Sequence, residues 1–471
     1  HNLHYRWMGK NHETIWINCR GRVLSDPEDG SPRYLVGCIN EIGAKQKADN
    51  VSGLLGEYSL KIFYESRSPK LPQGFLLRIG IDDFKNINES HGNEYGDYIL
   101  RRTAQCIEEN IGPEQSLFHI VADEFVVVDF SGGSVQQAED LFHEIKKSIY
   151  AFIEQNQYKA VYTVSGGIVK NGDVDNSFEN AMKLSEFALS EAKERGKNSC
   201  YVFEEEEYED YLKSRTLLRQ LHHAVNNGFE GFEAYFQPLV NAANGELTGA
   251  ETLLRFHSPE GGMVSPGEFI PILEESGLII PVGRWVLRQA LDACREWQKI
   301  LPEFKVNVNL SYVQVLKSRV LTDVRRIVDE FGVKPSSVCI ELTESGYLEE
   351  NERFDKVWNG LKEYGVLLAL DDFGTGYSNL RCLSDLKPAY IKIDRSFTLK
   401  ALNREYEYRL LNHIVEMSHS LGLHVCVEGI ETEGELTKAK QTEPDYIQGF
   451  LFGKPCSRAE FTQKFFTKQA G

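Results

Sequence analysis

Short apolar runs alternate with amphipathic segments along residues 232–471. The runs are EAYFQPLV, TGAETLLRF, KVNVNLS, VCIELTES, LLALDDFG, YIKIDRSF, HVCVEGIE and YIQGFLF. Segments such as GRWVLRQALDACREWQKI and YEYRLLNHIVEMSHSLG lie between them and have the apolar spacing of helices. Eight strands that are mostly separated by helices predict an α/β fold, a (β/α)8 barrel of the TIM type.

The chain before the barrel falls into stretches of different character. Residues 1–44 alternate polar and apolar positions in short runs, which predicts an antiparallel β-meander. Residues 45–203 mix strands such as GFLLRIGID and HIVADEFVVVDF with helical segments, which predicts an α+β domain. Residues 204–231 begin with an acidic run and predict a linker helix with a solvated face.

The composition disfavours some classes of binding partner and some cellular locations. The formal net charge of −18 disfavours binding to nucleic acid polymers or to an anionic membrane. No run approaches the roughly 18 apolar residues of a membrane-spanning helix. Nine cysteines without metal-ligand spacing favour a reducing, cytoplasmic setting. The chain starts at His1 rather than Met, so it is also compatible with being the cytoplasmic part of a longer, membrane-attached protein.

Nearly every predicted barrel strand ends in a polar or charged residue, where barrel enzymes have their active sites. These residues are Gln237, Glu251, Asn309, Glu341, Asp371, Asp372, Lys392, Asp394, Glu428 and Gln448. Burying one unpaired carboxylate costs several kcal/mol, so a ring of them needs cations at its centre. Oxygen ligands without His or Cys favour Mg²⁺ or Mn²⁺ over zinc. For any single acid, the alternative is that it caps the following helix.

Two of these acids, Asp371 and Asp372, are adjacent in the sequence. Side chains alternate between the two faces of a strand, so we expect one to point into the barrel and its neighbour to reach outward at the turn. Such a pair can serve two metal ions about 3.5–4 Å apart, which clamp a water and a phosphate. Lys392 and Asp394 share one face of an apolar strand, and the ammonium group can orient the attacking water.

These motifs closely resemble the EAL-type phosphodiesterases, which open the bacterial messenger cyclic di-GMP to linear pGpG. The resemblance covers YFQPLV, ETLLRF, NVNLS, ELTES, DDFGTGYSNL, IKID, VEGIET and QGFLFGKP. It implies two Mg²⁺ or Mn²⁺ ions, and the metal ligands that it implies are Glu251, Asn309, Glu341 and Asp371 for the first ion and Asp372, with Asp394 nearby, for the second. One departure from the name motif is visible: Thr252 stands where Ala is usual.

The same resemblance implies the remaining site residues. Lys392 and Glu428 would position the nucleophilic water. The substrate contacts would be Gln237, Arg255 and Gln448. Glu344 would hold the DDFGTG loop, with Glu431 as a further supporting acid, and both are grouped with the catalytic residues. In the family this loop borders a dimer contact, so we expect a homodimer through the barrel domain, residues 232–471.

Residues 45–203 resemble a GGDEF-type diguanylate cyclase domain, through DNVSGL, DDFKNINESHGNEYGDYIL, VADEF, TVSGGI and EAKERGKNS. The signature Gly-Gly is replaced by Val121 and Ala122, and β-branched Val121 would obstruct the approach of a nucleotide. Gly80 stands where the family has a metal-binding Asp, and GPEQ stands where it has a product-inhibition motif. Asp123 alone would not hold two Mg²⁺ ions, so we expect no cyclase activity.

The residues that match nucleotide contacts of the cyclase family are retained. They are Asn88, Asp97, Asp123, Lys193 and Lys197. The sequence therefore leaves two readings of this domain open, a GTP sensor that regulates the barrel and a scaffold for dimerisation. Residues 1–44 resemble the C-terminal half of a PAS sensor domain, with GCINEIGAKQKAD like its exit strand and connector.

Together these features predict a cyclic di-GMP phosphodiesterase that is regulated by an inactive GGDEF domain. The first alternative is a receptor that binds cyclic di-GMP without hydrolysing it, which the complete set of metal ligands disfavours. The second is another metal-dependent barrel enzyme, such as an enolase-like proton abstractor, in which Asp372 would have no task.

Overall fold

The computed structural model describes residues 2–8, 14–25, 32–42, 49–67, 74–157, 159–171, 177–343, 352–374 and 380–467. The chain forms two compact units, His1–Asp210 and Tyr211–Gly471. Within the described residues, no helix is long and apolar enough to cross a membrane.

The first unit begins with a three-stranded antiparallel sheet. Its strands are β1 (Asn2–Met8), β2 (Thr14–Ser25) and β3 (Pro32–Ile42), which pair in chain order. The predicted meander is therefore present. Its assignment to a PAS domain stays a prediction.

The rest of the first unit is an α+β domain built on a five-stranded sheet. The strands are β4 (Phe75–Ile81), β5 (Gln115–Val121), β6 (Glu124–Asp129), β7 (Val164–Lys170) and β8 (Cys200–Val202), in the order β5-β6-β4-β7-β8. All neighbours are antiparallel except β7 and β8. The helices are α1 (Glu57–Arg67), α2 (Phe84–His91), α3 (Asn93–Asn110), α4 (Val135–Gln155) and α5 (Phe178–Glu194).

Both faces of this sheet are buried, which explains its apolar strands. On β4, Leu77 and Ile79 face the core that includes Phe142 of α4, whereas Leu76 faces the core that includes Phe187 of α5. Side chains alternate along a strand, so an all-apolar strand needs a packed layer on each side. The next helix, α6 (Glu205–Asn226), contains the boundary between the two units.

The second unit contains a closed barrel of eight strands, as the sequence predicts. The barrel strands are β9 (Phe232–Asn241), β10 (Leu247–Ser258), β12 (Lys305–Asn309), β13 (Val338–Thr343), β14 (Leu367–Phe373), β15 (Tyr390–Ile393), β16 (His424–Val427) and β17 (Tyr446–Gln448). Two short strands, β11 (Gly262–Val264) and β18 (Cys456–Ser457), pair with β10 and β9.

One barrel strand runs against the others. β9 pairs antiparallel with both β10 and β17, while the remaining barrel pairs are parallel. Residues 242–246 join β9 to β10, and so short a connection cannot make the crossover that a parallel pair requires. Gln237 therefore lies within an antiparallel strand and not at the carboxyl end of a parallel one, which corrects the prediction for this residue.

Helices cover the outside of the barrel. They are α7 (Pro266–Ser276), α8 (Ile279–Trp297), α9 (Tyr312–Lys317), α10 (Val320–Phe331), α11 (Glu352–Tyr364), α12 (Leu380–Leu386), α13 (Arg395–Asn403), α14 (Glu405–Ser420), α15 (Glu433–Lys440) and α16 (Arg458–Phe465).

Trp297 at the end of α8 is the centre of an aromatic cluster at the barrel wall. Its side chain is fully buried, its ring stacks on Phe466 at 5.6 Å, and its Nε1 donates to Thr462 Oγ1 at 2.8 Å. Trp297→Ala should lower the free energy of unfolding of this unit by about 3–5 kcal/mol, because it leaves a large cavity. Urea denaturation of the full chain followed by circular dichroism measures this loss. The control is Ile300→Ala, at a residue 54% exposed, which should change stability by less than about 0.5 kcal/mol.

Candidate active site

Lys392 lies at the centre of the barrel mouth, and its side chain is only 2% exposed. Its Nζ is 2.8 Å from Glu428 Oε1, 3.0 Å from Glu341 Oε2, 3.1 Å from Glu251 Oε2 and 3.3 Å from Asp371 Oδ1. One ammonium group therefore faces four carboxylates, and the sequence-predicted ring is brought together.

The strand register explains how residues distant in sequence meet here. Asn309 on β12 is paired with Glu341 on β13. The next parallel strands, β14 and β15, contain Asp371 and Lys392. Parallel strands place their carboxyl ends at one edge, so their terminal side chains converge. Gln237 reaches the same site from antiparallel β9 because it lies directly opposite Glu251.

Asp371 and Asp372 both line the same cavities, which differs from the prediction that Asp372 reaches outward. Asp372 has a φ of 58°, and the register between β14 and β15 shifts between Leu370 and Phe373. This irregularity is a β-bulge, which interrupts the alternation of side chains and re-aims one of them. A short polar residue such as Asp tolerates the left-handed conformation that the bulge needs. Both adjacent acids can therefore serve one site.

Hydrogen bonds hold the carboxylates in place. Asn309 Nδ2 donates to Glu251 Oε1 at 2.9 Å, and Gln448 Nε2 donates to Glu251 Oε2 at 2.7 Å and to Gln237 Oε1 at 3.1 Å. Asn307 Nδ2 donates to Glu341 Oε1 at 2.7 Å. Gln448 Oε1 is buried and, in the described part of the chain, has no hydrogen-bond partner, so it can still accept a bond from a ligand.

Burial and mutual repulsion shift the pKa values of the site. Burial raises the pKa of Glu341, Asp371 and Glu428, against the opposing charge of Lys392. Burial followed by repulsion from Asp371 and Asp394 raises the pKa of Asp372 to about 6. Burial would also raise the pKa of Glu251, but Lys392 and the hydrogen bonds from Gln448 and Asn309 hold it below its usual value. The single positive charge of Lys392 therefore does not balance the negative charge of the carboxylates around it.

This arrangement fits a divalent cation. Glu251, Glu341 and Asp371 each offer an oxygen, and these atoms lie within 4.8 Å of one another. Carboxylate and amide oxygens in a cluster that carries more negative than positive charge are suited to Mg²⁺ or Mn²⁺. Asp394 also caps the amino end of α13, because its Oδ1 accepts a hydrogen bond from the backbone N of Ser396 at 2.7 Å. Its part in metal binding stays a prediction.

The remaining predicted residues line the approach to this site. A cavity of about 690 Å³ is bordered by Glu251, Arg255, Asp371 and Asp372, and a second of about 270 Å³ by Gln237, Lys392, Glu428 and Gln448. Arg255 is half-buried with its guanidinium over the Tyr235 ring, and burial lowers its pKa. Glu431 Oε1 pairs with Arg395 at 2.5 Å and also borders the second cavity. Glu344 lies outside the described residues.

Asn307 and Arg395 also belong to the site but were not among the residues predicted from the sequence. Asn307 is buried below Asn309 on the same face of β12, and strand alternation is the signal that could have found it. Arg395 follows Asp394 at the start of α13, where the sequence reads as an ordinary helix start.

The α+β domain carries a different constellation. A Cβ added at Gly80 would lie 2.9 Å from Lys193 Nζ, and Glu124 Oε2 lies 2.6 Å from Arg78 Nη2. Burial raises the pKa of Asp123, and the charge of Lys193 opposes this rise. Val121 is 58% exposed at the hairpin tip.

Asn88 and Lys197, two of the predicted nucleotide contacts of this domain, each have a close neighbour. Asn88 lies close to Gly96, which directly precedes Asp97. A Cβ atom built onto Gly96 would clash with Asn88 Oδ1. Lys197 Nζ lies 2.8 Å from Asp83 Oδ1 and Oδ2.

Family models match most of the chain. The EAL domain model matches residues 218–455, and the model of the diguanylate cyclase GGDEF domain matches residues 59–199.

Several known proteins are similar to this chain. The bifunctional diguanylate cyclase/cyclic di-GMP phosphodiesterase MucR of Pseudomonas aeruginosa is 29% identical, over 81% of this chain and 55% of its own length. The cyclic di-GMP phosphodiesterase PdeR of Escherichia coli is 29% identical, over 82% of this chain and 58% of its own length. The chain spans about half the length of the curated relatives that it matches.

A solved structure has the same fold. The EAL enzyme Bd1971 in its cAMP-bound form is 27% identical, covers 64% of this chain and 80% of its own chain, and has a TM-score of 0.51. The match to the EAL model extends across the barrel strands and the carboxylate ring that they carry. The chain therefore belongs to the EAL domain family, with a domain of the GGDEF family preceding the EAL domain.

Proposed function

We propose that the EAL domain hydrolyses cyclic di-GMP to linear pGpG with the help of two divalent cations, Mg²⁺ or Mn²⁺. The observation that carries this proposal is the buried ring of four carboxylates around Lys392, open to two cavities of ligand size. The names of MucR and PdeR, which describe cyclic di-GMP phosphodiesterases, support the same substrate.

The residues that would hold the first cation are Glu251, Asn309, Glu341 and Asp371, and those for the second are Asp372 and Asp394. When bound, such cations lower the pKa of a water molecule and neutralise charge on a phosphate. The bulge at Asp372 supports this assignment, because it lets two successive acids face one cavity.

Lys392 and Glu428 are suited to handle the water. The ammonium of Lys392 can donate a hydrogen bond to the attacking water and fix its orientation. Glu428, whose Oε1 is 2.8 Å from Lys392 Nζ, would accept the proton that this water loses. Burial raises the pKa of the Glu428 carboxyl, and the charge of Lys392 opposes this rise. A bond forms between the water oxygen and phosphorus, and the bond from phosphorus to the 3′ oxygen breaks. The 3′ oxygen takes up a proton from solvent, and Glu428 releases its proton to solvent.

Other residues would hold the substrate. Arg255 lines the larger cavity and can grip a phosphate with two parallel hydrogen bonds. Gln448 has one buried oxygen with no partner among the described residues, and with Gln237 it borders the smaller cavity. Glu431 would act indirectly, through Arg395, and Glu344 would hold the loop that follows β14.

Chromatography of cyclic di-GMP incubated with the protein and Mg²⁺ or Mn²⁺ tests the proposal. Appearance of pGpG, and its loss on chelation with EDTA, is the expected result. If the dinucleotide is bound and stays intact, the protein is a receptor and the hydrolytic proposal fails.

We further propose that the GGDEF-family domain makes no cyclic di-GMP and that it regulates the barrel by binding GTP at Asn88, Asp97, Asp123, Lys193 and Lys197. The domain boundaries 1–44, 45–203, 204–231 and 232–471, the partial PAS domain and a homodimer through the EAL domain belong to the same proposal. Adding GTP to the chromatographic assay tests the regulation, with faster appearance of pGpG as the expected result.

Asn307 provides a test of the proposed cation site that does not need turnover. Asn307→Ala should weaken Mn²⁺ binding about 10–100-fold, the usual effect of losing a hydrogen bond to a metal ligand, because Glu341 loses its donor. Paramagnetic resonance of free Mn²⁺ measures the affinity in the absence of substrate. Cys339→Ala is the matched control, since Cys339 is paired with Asn307 across β12 and β13 and is also buried. Equal weakening in both variants would indicate a packing effect only.

A further inference from the structure

At the cyclase-like site, Gly80 stands where the cyclase family has a metal-binding carboxylate, and the ammonium group of Lys193 lies beside it. A Cβ added at Gly80, near the end of β4, would lie 2.9 Å from Lys193 Nζ and 3.2 Å from Lys193 Cε. The ammonium of Lys193 therefore occupies the space into which an Asp side chain would extend. A divalent cation close to this ammonium would be repelled.

Glu124, which follows Asp123 in the sequence, is already paired with an arginine. Arg78 on β4 is 8% exposed, and its Nη2 and Nε lie 2.6 and 2.7 Å from Glu124 Oε2. Its Nη1 donates to Met182 O at 3.2 Å. Arginine stays charged at every physiological pH, and a buried charge-assisted pair of this kind is costly to break. One oxygen of Glu124 is therefore held by Arg78, and the charge of this arginine disfavours a metal ion on the same carboxylate.

Of the two carboxylates in the VADEF segment, Asp123 and Glu124, Asp123 is then the one left to ligate a metal ion. Within the described ranges, one group of three or more His, Cys, Asp or Glu side chains has ligand atoms that all lie within 4.8 Å of one another. This group is Glu251, Glu341 and Asp371 in the barrel. Mg²⁺ in nucleotide sites is held by carboxylates and phosphates in near-octahedral geometry. The residues present at the cyclase-like site do not fit the metal ions that the family implies.

We infer that this site binds the polyphosphate of a nucleotide as the free anion, with Lys193 and Lys197 in place of divalent cations. Lys197 forms an exposed pair with Asp83, and such a surface pair is weak and readily exchanged for a phosphate. The inference deepens the proposed regulation by GTP, since it specifies the form in which the nucleotide is recognised. It is independent of hydrolysis in the barrel.

Equilibrium binding of a fluorescent GTP analogue to the full chain, in excess Mg²⁺ or in EDTA, tests the inference. The two dissociation constants should agree within about threefold. Lys193→Met should weaken binding about tenfold or more in both conditions, because it removes a charge-assisted contact, and this assigns the signal to the cyclase-like site.

A second variant reverses the metal dependence. Gly80→Asp restores a carboxylate where only the flexible end of Lys193 and Leu189 Cδ2, at 3.2 Å, have to move. Mg²⁺ should then strengthen binding of the analogue in the variant. Binding to the unmodified protein that requires Mg²⁺ would overturn the inference and leave the regulation intact. Absence of binding in both conditions would overturn both.

Discussion

Replacing Lys392 by Met should lower the rate of cyclic di-GMP hydrolysis about 100-fold or more, the usual effect of losing one preorganised charge in an active site. Methionine keeps most of the volume of the side chain but removes the ammonium that lies within 3.3 Å of four carboxylates. The water would then lose its proposed donor, and the carboxylates would lose their shared counter-charge. Initial rates at saturating Mg²⁺ and substrate measure the loss.

Lys305→Met is the matched control for this experiment. Lys305 is also a barrel lysine, but it lies at the start of β12, and its Nζ contacts Tyr390 OH at 3.1 Å. The control should retain turnover close to that of the unmodified protein. Full activity of Lys392→Met would remove Lys392 from the mechanism, even if the barrel hydrolyses the dinucleotide.

The barrel and most of its carboxylate ring could be predicted from the sequence because both follow from short-range patterns. A strand of alternating residues places Asn309 at its end, and parallel pairing brings it beside Glu341. The rule that barrel sites lie at the carboxyl ends of strands then identifies the ring without knowledge of the packing. The metal chemistry follows from the type of ligand atom and not from its position.

The features that the sequence did not predict depend on local backbone geometry. The direction of β9 depends on how short its connection to β10 is. The orientation of Asp372 depends on a bulge with a φ of 58°, which no apolar pattern encodes. Periodicity describes regular strands, and a bulge is a departure from regularity.

Buried polar partners were also missed, although the sequence contains a signal for them. Arg78 interrupts the apolar strand FLLRIGI, and a charged residue in a strand buried on both faces needs a partner. That partner, Glu124, is distant in sequence and could be identified only from the pairing of β4 with β6. Asn307 is a similar case, because its partner Glu341 lies on the next strand.

Glu251→Gln should lower turnover about 100-fold or more, again the scale of one preorganised charge, and should also weaken Mn²⁺ binding measured without substrate. Both oxygens of Glu251 are engaged, one by Asn309 and the other by Gln448 and Lys392. Glutamine keeps the size of the side chain but removes its negative charge and replaces one oxygen with an NH2 group, which cannot ligate a cation. The loss should therefore appear in metal affinity as well as in turnover.

Glu246→Gln is the matched control, because Glu246 lies just before β10, is exposed and accepts from Asn244 Nδ2 at 2.7 Å. It should leave both Mn²⁺ binding and turnover unchanged. Unchanged Mn²⁺ affinity in Glu251→Gln with lost turnover would assign Glu251 to the substrate or to Lys392 and not to a cation. Full activity in that variant would contradict the proposed site altogether, since no other described carboxylate contacts Asn309, Gln448 and Lys392 together.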